Sequence, residues 1–144
     1  MIIKTTSSKK TQKAGEDFAN KLKGGDVVAL YGDLGSGKTV FVQGIAKGLG
    51  IDRRILSPTF VFMRSYPIKM QGQDLIFYHL DLYRGERFGD FEALGMEEVF
   101  SPYSIVVIEW ADRIKNGLPK KRINVKFRQV DERTREIEIV TIDN

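Results

Sequence analysis

The residues with the most recognisable chemistry form a glycine-rich stretch, Gly32–Thr39, which reads G-x-x-x-x-G-K-T. Its glycines let backbone N–H groups approach an anion without a Cβ in the way, and the start of a following helix adds a preorganised anion site. In such a loop Lys38 contacts the β- and γ-phosphates of a nucleoside triphosphate, and the hydroxyl of Thr39 binds Mg²⁺. An apolar strand precedes the stretch and a helix begins inside it, as the motif requires. The sequence therefore predicts a phosphate-binding loop.

The predicted nucleotide contacts extend beyond these two side chains. Asp33 is unusual, because a triphosphate repels a carboxylate unless that carboxylate points away or contacts the metal or a water. The sequence leaves these alternatives open. Thr11, in the N-terminal helical region, is a candidate contact for the adenine. The complete predicted nucleotide-binding set is Asp33, Leu34, Gly35, Ser36, Gly37, Lys38, Thr39 and Thr11.

Two acidic residues could complete the metal side of the site, because a P-loop protein usually holds Mg²⁺ with an acid at the end of a second buried strand. Glu109 directly follows the apolar run Ile105–Ile108, and Asp81 follows the strand Leu75–Leu80. Strand alternation puts His79 on the same face as Asp81, where either a structural hydrogen bond or a proton-transfer role fits. Whether Asp81 or Glu109 touches Mg²⁺ directly stays open. The predicted catalytic residues are Asp81, Glu109 and Lys38, and the predicted metal ligands are Thr39 and Glu109.

A further loop follows the second predicted helix. Nucleotide switches place a threonine that senses the γ-phosphate in such a position, so Ser57 and Thr59 are predicted to form a switch-like loop. The sequence has no N-K-x-D element for guanine recognition, and Asp81–Arg84 lacks the glycine of a D-x-x-G switch. GTP is therefore disfavoured, and we predict ATP with Mg²⁺ as the ligand.

These residues need elements that bring them together. Continuous apolar runs predict strands buried on both faces, and apolar residues three or four positions apart predict helices. In the first half the predicted elements are a strand at Ile2–Thr5, a helix that ends at Gly24-Gly25, a strand at Asp26–Tyr31 and a helix at Lys38–Leu49. In the second half they are strands at Phe60–Tyr66 and Asp74–Tyr83, a helix at Asp90–Phe100 with Asp90 as N-cap, a strand at Ser104–Ile108 and a hairpin around Gln129–Arg135.

The predicted fold class is α/β: a P-loop NTPase-like three-layer fold in which helices flank a mixed parallel and antiparallel central sheet. The short connection around Gly72 favours antiparallel pairing of the two strands it joins. At 144 residues the chain has the size of one domain, and we predict a single P-loop ATPase domain over residues 1–144.

Composition excludes several classes of protein. The chain has no cysteine, which rules out a disulfide framework and thiolate metal sites. Its net charge of +4 is scattered, so contact with RNA is permitted but not demanded. No apolar run is long enough to span a bilayer. We expect a cytoplasmic protein without a membrane or DNA partner.

Four motifs occur in order along the chain: Gly32–Thr39, Ser57–Phe60, His79–Arg84 and Ile108–Trp110. Together they resemble the TsaE (YjeE) family, small bacterial ATPases required for making threonylcarbamoyladenosine in tRNA. The resemblance runs from the first predicted helix through Glu109. It implies a slowly hydrolysing ATPase that works with the TsaD–TsaB complex on tRNAs reading ANN codons. Such a protein reaches tRNA through that complex and does not itself transfer the threonylcarbamoyl group.

The resemblance also implies roles for individual positions. It assigns Lys38 and Thr39 to the phosphates and Mg²⁺, Glu109 to the metal, Asp81 to catalysis and Thr59 to the switch-like loop. The chain departs from the family pattern at Ala111–Arg113, where family members commonly have proline and glutamate before the arginine. No role is carried over to that segment. A tryptophan after a buried strand usually fills a core, and we expect this of Trp110.

Other functions are compatible with a phosphate loop. A small-molecule kinase would need an acceptor pocket and an arginine-rich lid, and neither is visible in the sequence. A nucleotide-gated RNA-binding module would bind tRNA alone with strong salt dependence, against which the modest, scattered charge argues. A self-contained GTPase ranks last, because the guanine-recognition element is missing.

Overall fold

The computed structural model describes residues 1–33, 35–51, 63–82, 89–90 and 96–143 of the 144-residue chain. The α-helices in these ranges are α1 (Ser8–Ala19) and α2 (Lys38–Gly48). The strands are β1 (Ile2–Thr5), β2 (Val27–Tyr31), β3 (Met63–Met70), β4 (Gln73–Asp81), β5 (Gly89–Asp90), β6 (Ser104–Glu109), β7 (Ile114–Asn116), β8 (Arg122–Gln129) and β9 (Arg135–Ile142). Two 3₁₀ turns, Met96–Val99 and Ala111–Arg113, precede β6 and β7.

Seven strands form one sheet in the order β1-β9-β8-β2-β6-β4-β3, and β5 pairs with β7 in a separate ladder. The central strands β8, β2, β6 and β4 are parallel, whereas the outer pairs are antiparallel. No residue of Val27–Leu30 or Ile105–Ile108 is more than 4% exposed, because both faces of β2 and β6 are covered. The carboxyl ends of the parallel strands meet at one edge, which is where open α/β sheets bind ligands.

Helices α1 and α2 pack together over an apolar core on one face of the sheet. The first helix starts at the N-cap Ser7, whose hydroxyl accepts a hydrogen bond from the Lys10 amide at 3.1 Å. The helices cross closely because α2 has Gly44 at the contact, where a Cβ would overlap the carbonyl oxygen of Gln12. This crossing fixes α2, and hence the loop before it, against the N-terminal segment.

The opposite face of the sheet carries a second apolar cluster. Val99, Ala111 and Ile114, from the two 3₁₀ turns and β7, pack on it. The predicted α/β class with a mixed central sheet is confirmed, and both described α-helices lie on the first face. Neither of them is long and apolar enough to cross a bilayer.

One predicted helix was wrong in extent, and another lies partly outside the described residues. The first helix ends at Ala19 instead of Gly24-Gly25, because the Lys21 and Leu22 amides bond to carbonyls three residues earlier and tighten the chain into turns. Asp90 lies in β5 and pairs with Asn116 of β7. Its role as an N-cap stays a prediction, because the residues it would cap lie outside the described ranges. Of the predicted helix, Asp90 and residues 96–100 are described, and 96–99 form a 3₁₀ turn. Residues 91–95, the start of the strand predicted from residue 60, and Tyr83 lie outside the described residues.

Candidate nucleotide-binding site

The loop after β2 begins at Gly32, which lies against strand β8. Its φ is +149°, and a Cβ here would lie 2.8 Å from the Ser36 hydroxyl oxygen and 2.9 Å from both Cβ and the carbonyl oxygen of Phe127. A real Cβ does not tolerate such distances, so glycine alone fits between β8 and the rest of the loop. The hairpin strand thus shapes the loop, which the motif itself does not reveal.

The start of α2 presents backbone amides without a side-chain cap. Gly37, the N-cap residue, has a φ of +108° and makes no side-chain cap hydrogen bond. Gly35 has a φ of +80°, and among the described residues other than its chain neighbours no heavy atom lies within 4 Å of the place its Cβ would take. Amides at a helix N-terminus carry partial positive charge and favour an anion. The geometry around both glycines therefore fits a phosphate group.

The side chain of Lys38 folds back over the loop. Its ammonium donates to the carbonyl oxygen of Gly32 and, at 2.9 Å, to that of Asp33. The ammonium also lies 3.9 Å from the centroid of the Trp110 ring, within the range of a cation–π contact. Burial lowers the pKa of Lys38. The carboxylates that oppose this change are, in decreasing order, those of Glu109, Asp112, Asp33 and Asp81.

The carboxylate of Glu109 links three elements at the carboxyl edge of the sheet. It stands at the end of β6 and is 1% exposed. Oε1 accepts a hydrogen bond from the Thr39 hydroxyl at 3.1 Å, and Oε2 lies 2.6 Å from Nε2 of His79. The fold thus brings a predicted acid of the site next to the predicted Mg²⁺-binding threonine, 70 residues away in sequence.

Asp81 lies beside Glu109, because the two residues are register partners in the parallel pair β4–β6. The amide of Leu82 donates to the Glu109 carbonyl oxygen at 3.1 Å and fixes the end of β4 against β6. Asp81 is half-buried, and its charge acts on Lys38. The three predicted catalytic residues therefore share one site, while their roles stay predictions.

The oxygen donors at this edge fit a magnesium ion. Mg²⁺ usually takes one or two protein oxygens and completes its shell with water and phosphate oxygens. Thr39 and Glu109 offer two such oxygens 3.1 Å apart, with Asp81 in the adjacent strand. Among the described residues, no three His, Cys, Asp or Glu side chains cluster as a metal site. The arrangement suits a metal shared with a nucleotide better than one held by the protein alone.

The other predicted contacts are placed as follows. Asp33 is exposed, and its carbonyl oxygen accepts from the Ser36 amide at 3.1 Å. The Ser36 hydroxyl is buried without a hydrogen-bond partner in the described part of the chain. Thr11 is buried, and its hydroxyl lies 2.7 Å from that of Thr5 and 3.1 Å from the carbonyl oxygen of Ser7. Its adenine contact stays a prediction, as do the roles of Leu34, Ser57 and Thr59, which lie outside the described residues.

Sequence reasoning missed two side chains beside the loop. Trp110 was expected to fill the core, and it does pack, partly buried, against the second apolar cluster. Its ring also lies against the Lys38 ammonium, because β6 ends at Glu109 and the chain turns there with a φ of +59°. Arg135 of β9 has its Cγ 4.0 Å from the Cβ position of Gly37. The place of the tryptophan directly after a site acid was a usable signal. The arginine offered none, because its proximity depends on pairing of the hairpin.

Comparisons with known proteins identify the family. A family model described as threonylcarbamoyl adenosine biosynthesis protein TsaE matches residues 5–137. A tRNA threonylcarbamoyladenosine biosynthesis protein TsaE from Bacillus subtilis is 36% identical, over 98% of this chain and 85% of the relative. Its namesake from Treponema pallidum is 37% identical, over 92% and 95%. The crystal structure of YdiB from Bacillus subtilis matches with a TM-score of 0.77 at 31% identity, covering 100% of this chain and 86% of that one. The chain therefore belongs to the TsaE family.

Proposed function

We propose that this protein is a Mg²⁺-dependent ATPase of low intrinsic rate that serves the threonylcarbamoyladenosine modification of tRNA as an accessory protein. The observation that carries the proposal is the meeting of Lys38, Thr39, Glu109 and Asp81 at the glycine-rich loop. The names of the relatives point to the modification. In this proposal the protein acts in the cytoplasm as a single domain.

ATP binding uses groups that already surround the loop. The triphosphate takes the open space beside Gly35 and accepts hydrogen bonds from the amides that open α2. Lys38 exchanges its carbonyl partners, Gly32 and Asp33, for phosphate oxygens, because an ammonium binds an anionic oxygen more strongly than a neutral one. Bound Mg²⁺ supplies further neutralisation of the phosphate charge. Thr39 and Glu109 are the residues that hold it.

The way the carboxylates are engaged supports the low rate of hydrolysis in this proposal. Both oxygens of Glu109 have protein partners, the Thr39 hydroxyl and the His79 ring. This carboxylate is therefore suited to hold a metal and poorly suited to take a proton from water. Asp81, the second carboxylate at this edge, orients the attacking water in our proposal. Hydrolysis then resets a complex instead of making a product.

The proposed partner is the TsaD–TsaB complex, through which the protein acts on tRNAs that read ANN codons. The nucleotide changes the conformation of the loop that contains Ser57 and Thr59, and with it the affinity for the partner. A ligand shifts such an equilibrium only by its differential affinity for the two states. Linkage then requires the partner to change ATP affinity by the same factor. The threonylcarbamoyl transfer itself belongs to the partner.

The test is multiple-turnover threonylcarbamoylation of tRNA by TsaD and TsaB, with threonylcarbamoyl-AMP and ATP supplied. Wild-type protein, Lys38→Ala, Lys47→Ala and no addition are compared. Lys47 is a matched control, because it lies in the same helix with its side chain 65% exposed and 3.9 Å from Glu16. We expect wild type and Lys47→Ala to sustain turnover, and Lys38→Ala to match no addition. Wild type that binds ATP without sustaining turnover would contradict the accessory role, and full support by Lys38→Ala would remove the loop from its centre.

A further inference from the structure

His79 is fully buried in β4, two residues before Asp81. Its Nε2 lies 2.6 Å from Oε2 of Glu109, whereas its Nδ1 has no hydrogen-bond partner within the described residues. An apolar side chain would fill this space without leaving a buried nitrogen unpaired. The contact with Glu109 therefore explains the histidine better than packing does.

This contact fixes the orientation of the Glu109 carboxylate. Its Oε1 faces the Thr39 hydroxyl at 3.1 Å, while Oε2 is held from the other side by His79. An ionised carboxylate has only acceptor oxygens, so this pairing requires the ring tautomer that carries its proton on Nε2. The last torsion of a glutamate is broad and roughly two-fold. A donor fixed on one oxygen therefore decides where the other oxygen points.

We infer that His79 is a positioning residue, which holds the Glu109 carboxylate so that its Thr39-facing oxygen is presented to the Mg²⁺ of a bound nucleotide. The inference rests on the Mg²⁺-dependent ATPase proposed above. Groups that orient metal ligands typically change metal affinity by roughly 10–100-fold when they are lost. A proton-transfer role for the ring does not fit, because one nitrogen is committed to Glu109 and the other is enclosed in the sheet.

The test compares His79→Leu, which removes the donor, with His79→Gln, whose side-chain amide can replace it. Affinity for a nonhydrolysable ATP analogue is measured from Trp110 fluorescence in EDTA and in Mg²⁺. We expect His79→Leu to lose about tenfold or more of the gain in affinity that Mg²⁺ gives. It should keep its affinity in EDTA within about twofold of wild type, and His79→Gln should recover most of the gain. Equal losses with and without Mg²⁺ would mean a merely structural role and overturn the inference.

A Glu109→Gln background tests whether His79 acts through Glu109. In that background, His79→Leu should change the gain in analogue affinity on adding Mg²⁺ by less than about twofold, since the group that His79 positions is already changed. If His79→Leu still removed the gain in the Glu109→Gln background, the inference would be overturned. Urea unfolding checks the fold, and His79→Met, which also lacks a donor, replaces His79→Leu if that variant does not fold. If Mg²⁺ does not raise the analogue affinity of the wild type, the proposed Mg²⁺ dependence is overturned together with the inference. If Mg²⁺ raises the analogue affinity of wild type and of His79→Leu by the same factor, the inference alone is overturned.

Discussion

Gly32, Gly35 and Gly72 all have positive φ, yet alanine at each position should have a different effect. Gly32 lies in the crowded part of the loop, with φ at +149° and three atoms closer than 3.0 Å to the Cβ position. Gly35 is in the same loop with φ at +80°, and Gly72 is in the β3–β4 turn with φ at +78°, both with open space at the Cβ position. Gly72 is thus a matched control for the backbone strain at Gly35.

The expected magnitudes follow from these surroundings. Alanine at Gly32 combines backbone strain of about 1–3 kcal/mol with overpacking of about 1–3 kcal/mol. The lower entropy of the unfolded chain offsets about 0.4–1 kcal/mol, so the variant should lower the free energy of unfolding by about 1–6 kcal/mol. At Gly35 and Gly72 the left-handed conformation costs about 1–2 kcal/mol, and the lower entropy of the unfolded chain returns about 0.4–1 kcal/mol. Both variants should lose about 1 kcal/mol.

Affinity separates the last two variants. A Cβ at Gly35 stands in the space that we assign to the phosphates, and each lost charge-assisted hydrogen bond is worth about 1.5–3 kcal/mol. The Gly35→Ala variant should therefore bind an ATP analogue roughly 10–100-fold more weakly, whereas Gly72→Ala should bind like wild type.

Urea unfolding measures the stabilities, and Trp110 fluorescence measures the affinities. The slope of the unfolding free energy against urea concentration must be the same in all variants for the stabilities to be compared. Two results would refute the reasoning. The first is a Gly35→Ala variant with wild-type affinity, because then no phosphate lies beside this residue. The second is a Gly32→Ala variant that is as stable as Gly72→Ala, because then β8 does not confine the loop.

Two further predictions concern cations at the loop. Burial lowers the pKa of Lys38 below its ordinary 10.5, and the protonated ammonium is the form that binds phosphate. Analogue affinity measured from roughly pH 7 to 10 should therefore fall at a lower pH than for an exposed lysine, and a flat profile would contradict this. In the same window the unfolded chain keeps the proton that the folded chain has lost, so this residue's contribution to stability rises with pH. Arg135 has its Cγ 4.0 Å from the Cβ position of Gly37, and its guanidinium donates to the hairpin carbonyls of Asp131 and Glu132 at 3.4 and 3.5 Å. These long hydrogen bonds can be exchanged for a phosphate, so Arg135→Ala should weaken analogue binding about fivefold, as for a partly exposed charge worth about 1 kcal/mol. Arg128→Ala is the control, because Arg128 lies on the same hairpin, exposed and 3.3 Å from Glu136; equal losses in both variants would point to the hairpin as a whole.

Local patterns were sufficient for the parts of the site that one strand and one loop define. The apolar run before Gly32 predicted β2, and the run before Glu109 predicted β6, since strands buried on both faces are continuously apolar. Parallel pairing of these strands then puts their carboxyl ends at one edge. The same rule places Asp81 at this edge, because it too follows an apolar strand, so the carboxylates of the site could be named from sequence. Their direct adjacency depends on the pairing of β4 with β6.

Contacts that depend on long-range pairing could not be predicted in this way. The pairing of Asp90 with Asn116 of β7 was not predicted, because the two residues are far apart in the chain. The ring of Trp110 rests on Lys38 because the chain reverses direction after β6, and no local pattern encodes that reversal. The hydrogen bond between His79 and Glu109 requires the exact neighbourhood of β4 and β6, which alternation within one strand does not specify.

The part of the chain with the least diagnostic sequence has a direct effect on the loop with the most diagnostic one. Gly32 must be glycine because Phe127 of β8 lies behind it, and Arg135 of β9 lies beside Gly37. The motif supplies the groups that contact phosphate, while the C-terminal hairpin sets the space in which the loop folds. The motif residues are therefore insufficient by themselves, since a phosphate loop needs a fixed backbone to present its amides without reorganisation. In this protein β8 gives that support through its parallel pairing with β2, the strand that leads into the loop.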